Sequence, residues 1–145
     1  MRKVSKKPFG LSVAAFLMSS MTIWFMPMAT SGESGVNPLL YVLAVIFWIG
    51  FIMGFVFLLP ISRQRKIDRR YVGKGGIGLL RFFSNKPAAV FDILLIIGII
   101  VLTISLILQT LPGGVMLTSI FVSVFGIEMH GLFNGKNYEY LCHRR

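Results

Sequence analysis

The chain has 145 residues, 55% of them hydrophobic and 14% charged, a composition too apolar for a soluble domain of this length. Its net charge of +10 comes from Lys and Arg that flank apolar runs; that placement suits a membrane and argues against nucleic acid as a partner. Its one cysteine, Cys142, excludes an internal disulfide framework and a cysteine-based zinc site.

Residues 1–8 form a basic arm with Arg2, Lys3, Lys6 and Lys7. A first predicted span covers 9–29 and ends near Pro27, with Trp24 towards its outer end, where amphipathic aromatics favour the interface. This run is longer than the apolar region of a signal peptide, and Pro27 makes the small-residue pattern Ala29-Thr30-Ser31 a poor cleavage context, so the span is expected to be retained. Residues 30–38 are turn chemistry with one acid, Glu33. The second span covers 38–61, with Pro60 near its inner end.

A basic connection over 62–87 follows. Arg63, Arg65, Lys66, Arg69 and Arg70 form a dense cluster suited to anionic lipid headgroups. Gly73 to Gly78 matches G-x-G-x-x-G, but no strand precedes it, so it reads as a flexible joint and not as a nucleotide site. Ile77 to Phe83 is apolar around Arg81 and is expected to form a short interfacial helix. Pro87 opens a third span over 88–108, and Gln109 to Gly114 is a tight uncharged turn. The fourth span covers 113–133 and is stopped by Asn134-Gly135-Lys136-Asn137; Tyr138 and Tyr140 then suit the inner interface.

All 15 Lys and Arg lie before the first span, between the second and third, or after the fourth. Short basic loops stay in the cytoplasm. The expected fold is therefore an all-α integral membrane protein: a four-helix transmembrane bundle, one membrane domain over 1–145, both termini cytoplasmic, in the cell membrane. Small residues recur at helical spacing in every span. They are Ser12, Ala15, Ser19 and Thr22 in the first, Gly50 and Gly54 in the second, Gly98 and Ser105 in the third, in line with Gln109, and Ser119, Ser123 and Gly126 in the fourth, in line with His130. Such stripes let membrane helices approach closely, and packing within the chain is favoured over a homodimer contact.

Three titratable residues fall inside spans: Asp92, Glu128 and His130. An ionisable group there is a functional hypothesis by default, here an ion or proton site. The competing reading is structural. All three lie near the basic end, where Arg81, Lys86, Lys136 or water would be their partners. Glu128 and His130 are also two residues apart, about 200° around a helix, so His130 is expected inside and Glu128 pointing away.

No catalytic triad, metal motif or phosphate loop is evident, and neither a cofactor nor an enzymatic activity is expected. The leading expectation is a small membrane protein acting by association in an accessory, regulatory or immunity-type role. Its partners would be anionic lipid and another membrane protein or a second copy. The alternative is a small oligomeric transporter or ion pathway. In length and span count the chain resembles the small multidrug transporter group, whose working acid lies mid-span in the first helix. Here nothing between Lys7 and Glu33 is charged, so no residue carries over.

Overall fold

A computed structural model describes residues 6–30, 37–68, 81–109 and 111–143. The regular elements among the described residues are all helices, with no strand among them. The elements are α1 (Lys7–Thr30), α2 (Pro38–Val56), α3 (Leu59–Ile67), α4 (Lys86–Leu108), α5 (Gly113–Phe133) and α6 (Lys136–His143). Four stretches, Lys7–Pro27, Pro38–Ile67, Lys86–Leu108 and Gly113–Phe133, are long and apolar enough to cross a membrane.

The helix ends follow local chemistry. Asn37 and Asn85 cap α2 and α4, each side chain accepting from a backbone N–H of the first turn, Leu39 and Ala88 respectively. Pro38 and Pro87 sit in those first turns, where a missing N–H costs nothing. The first membrane-length stretch ends at Pro27, as expected, while the helix α1 runs on to Thr30. The second span is not one helix to Ile61: the chain tightens at Leu58, whose N–H bonds to Phe55 O at 3.0 Å, before α3 begins. Pro60 is the cause, because it has no N–H to continue the ladder and its ring crowds the preceding turn. The fourth span stops at Phe133 with Asn134 as its cap, as expected, and a further short helix, α6, begins at Lys136.

Packing runs through three main seams, α1 with α2, α1 with α5, and α4 with α5. α1 and α5 therefore each have a helix on two sides. The stripes line these seams. A Cβ on Gly50 would stand 2.9 Å from Ala15 O, one on Gly54 would meet the Phe16 ring, and one on Gly126 would stand 2.9 Å from Leu95 Cα. Gly50 and Gly54 thus face α1 within the chain. Ser12 Oγ donates to Gly54 O at 2.6 Å and ties the first seam. Phe16, Met129 and Leu132 form the buried apolar cluster where α1 meets α5.

At the basic end, α3 and α6 pack on each other. Ile61 is buried there. Tyr140 is 0% exposed, packed within the chain, and its hydroxyl donates to Asp68 Oδ2 at 3.5 Å. Tyr138 packs on Phe9 and Phe133. Arg69, Arg70 and the glycine-rich stretch Gly73 to Gly78 lie outside the described residues.

Candidate functional site

Two polar clusters lie on opposite sides of α5. The first centres on Asp92, six residues into α4 and 0% exposed. His130 Nδ1 stands 2.6 Å from Asp92 Oδ1, within hydrogen-bond distance. Asn134 Nδ2 donates to both oxygens of Asp92 at 3.0 and 3.2 Å. The backbone N–H of Phe83 donates to Oδ2 at 2.6 Å. This carboxylate joins α4, α5 and the segment before α4 at one point.

That segment is shaped to serve it. Residues 81–85 are not helical, which corrects the expected interfacial helix over Ile77–Phe83 in its described part; residues 77–80 lie outside the described residues. Phe83 has φ 55°, a left-handed conformation uncommon for a bulky side chain, and this turns its N–H towards Asp92. Ser84 Oγ donates to Asn134 Oδ1 at 2.6 Å, and Asn85 Nδ2 donates to Phe133 O at 3.0 Å. Phe82 lies over the His130 ring at 4.3 Å between centroids.

The second cluster centres on Glu128, 7% exposed at the α1–α5 seam. Ser20 Oγ donates to Oε2 at 2.7 Å, and Ser19 Oγ lies 2.9 Å from Oε1. Ser19 and Ser20 stand near the middle of the 24-residue α1, so the carboxyl reaches deeper than its own position in α5 suggests.

These positions revise the sequence reading in two ways. Asp92 does not meet Arg81, Lys86 or Lys136; it is bonded to His130, Asn134 and Phe83, while Arg81 pairs with Glu139 at 3.5 Å. Glu128 does face away from His130, but not towards lipid or the basic rim. α1 covers that side of α5 as α4 covers the other. The three titratable residues are therefore not one cluster.

Asn134, Ser84, Asn85 and Ser20 were missed. For Asn134 a signal existed: it lies four residues beyond His130 and continues the stripe from Ser119. Ser20 sits one residue off the α1 stripe, and nothing local marks it. Among the described residues, no group of three or more His, Cys, Asp and Glu is placed to hold a metal ion.

Arg63, Arg65 and Lys66 lie on α3, with Arg63 and Lys66 exposed. Ile67 beside them is 80% exposed, so α3 presents cations and an apolar side chain together. Comparison of the chain with family models, curated proteins and solved structures finds no match.

Proposed function

We propose that this chain is a small multi-pass protein of the cell membrane, with both ends in the cytoplasm, that acts by association and not by catalysis. The role is of an accessory, regulatory or immunity type, exerted on another membrane protein. The observation that carries the reading is the closed seam between α4 and α5. A transport route through Asp92 would continue along that seam towards Gln109. Instead Leu95 lies against Gly126 and Gly98 against Ser123. Ser105, Ser119 and Ser123 turn their hydroxyls back onto carbonyls of their own helices at 2.7–2.8 Å. The Asp92 carboxylate spends its acceptors on groups of the same chain.

The face offered to partners is α3, whose Arg63, Arg65 and Lys66 would lie at the inner headgroups and attract anionic lipid or an acidic juxtamembrane segment. The test joins two measurements on protein from native membranes. Purified in a mild detergent, the chain should carry a partner in fixed stoichiometry, lost in an Arg63→Glu/Lys66→Glu variant. In proteoliposomes it should add no ion flux over empty vesicles.

A second reading, a proton or ion pathway using Asp92, Glu128 and His130, is favoured by one observation: the Glu128 carboxyl meets α1 near its middle with two serines as partners. A flux in proteoliposomes that disappears in Glu128→Gln, with the protein still folded, would put this reading first.

A further inference from the structure

We propose that Glu128, Ser19 and Ser20 form a binding site for a single proton within the helix assembly. The inference stands on hydrogen-bond geometry and rests on neither reading of function above.

A carboxyl removed from water needs a counter-charge, a set of donors or a proton. Among the described residues, no counter-charge faces Glu128 from the elements packed on α5. α1 carries no titratable side chain between Lys7 and Thr30. α4 carries Lys86, at its first residue beside the basic end, and Asp92, bonded to His130 on the far side of α5. The charges of α6, Lys136 and Glu139, stand beyond the end of α5. Behind α1, α2 has only Tyr41 among titratable groups, and the cations of α3 stand at the basic end.

The donor count then points to a proton. Ser19 Oγ has one hydrogen but two oxygens in reach, Phe16 O at 3.1 Å and Glu128 Oε1 at 2.9 Å. Ser20 Oγ donates to Oε2. With a proton on Oε1, each hydrogen has one acceptor. The carboxyl donates to Ser19 Oγ, Ser19 donates to Phe16 O, and Ser20 donates to Oε2. Without it, the Ser19 hydroxyl turns to Oε1, and Phe16 O keeps its backbone bond in α1. The site has two complete hydrogen-bonded states that differ by one proton and one hydroxyl rotation. The two carboxyl and two hydroxyl oxygens fall short of the roughly six to eight that a hard cation such as calcium takes.

The test is infrared difference spectroscopy on the full chain in lipid, stepped through the pH range where carboxyls and imidazoles titrate. The expected result is a protonated-carboxyl carbonyl band that appears as pH falls and moves in heavy water. It should be lost in Glu128→Gln, kept in Asp92→Asn, and shifted in frequency in Ser19→Ala/Ser20→Ala, whose hydroxyls no longer touch it. The serine variant keeps the carboxyl and serves if Glu128→Gln does not fold. The proposal is overturned if no such band appears in the parent protein, if it is unmoved by the serine changes, or if sodium abolishes it at fixed pH. Neither partner binding nor ion flux enters this readout.

Discussion

His130 Nδ1 lies 2.6 Å from Asp92 Oδ1, with both side chains buried, and Asn134 and the Phe83 N–H complete the shell of the same carboxylate. One acid thereby holds two spans and the segment leading into α4. Removing it takes a shared acceptor from His130, Asn134 and the part-buried Phe83 N–H, and breaking a buried pair from one side costs about 3–5 kcal/mol. Asp92→Ala should lower stability by that amount in a detergent unfolding titration. Asn134→Ala should cost less, about 1–3 kcal/mol, because it removes one member of the shell. An Asp92→Ala protein as stable as the parent would show that the network holds nothing together.

The glycines separate close approach from mere flexibility. A Cβ at Gly50 or Gly126 meets backbone atoms 2.9 Å away, whereas one at Gly131 meets nothing within 4 Å. Gly50→Ala and Gly126→Ala should each destabilise by about 1–3 kcal/mol through forced separation of the helices. Gly131→Ala should be neutral or stabilise by up to about 1 kcal/mol, as alanine favours helix. Thermal unfolding of the three variants in one detergent checks the order.

Gln109 ends α4 in the left-handed region, φ 51°, and donates its N–H to Ser105 O at 3.1 Å. Glycine adopts this conformation without a Cβ penalty and is the usual residue at such a helix end. Gln109→Gly should raise stability by about 0.5–1 kcal/mol. A loss in the same unfolding assay would mean that the side chain has a role beyond ending the helix.

If α3 lies at anionic headgroups, Arg63→Gln and Lys66→Gln should each weaken retention of anionic phospholipid by about 1 kcal/mol. Native mass spectrometry after exchange into mixed anionic and zwitterionic lipid measures this. The loss should shrink in high salt, which screens exposed charges. Equal retention by the double variant would remove α3 as the lipid contact.

Cys142 is the one cysteine of the chain and is exposed on α6. If both ends lie in the cytoplasm, as proposed, a membrane-impermeant maleimide should leave it unlabelled in intact cells and label it in inverted vesicles. Labelling in intact cells would reverse the orientation.

The four long apolar helices were legible because hydropathy and length are local properties, and a residue's transfer cost does not depend on its neighbours in space. Gly50 and Gly54 were legible for a related reason: small residues four apart leave one groove wherever the partner stands. α6 was not legible, since Gly135 and Asn137 read as a stop and the short helix depends on packing Tyr138 against Phe9 and Phe133.

For Glu128 and His130, sequence determined only their angular separation, about 200° at two residues' spacing. From separation alone, one of the two had to face away from the interior. Tertiary structure decided otherwise by placing α1 on one side of α5 and α4 on the other, so both directions are interior. Ser20 becomes a partner of Glu128, and Asn134 a partner of Asp92, through contacts spanning 108 and 42 residues of chain. Periodicity reports which residues share a face of one helix. Which helix covers that face is settled by the packing of the whole chain, where a buried polar group must find its partner.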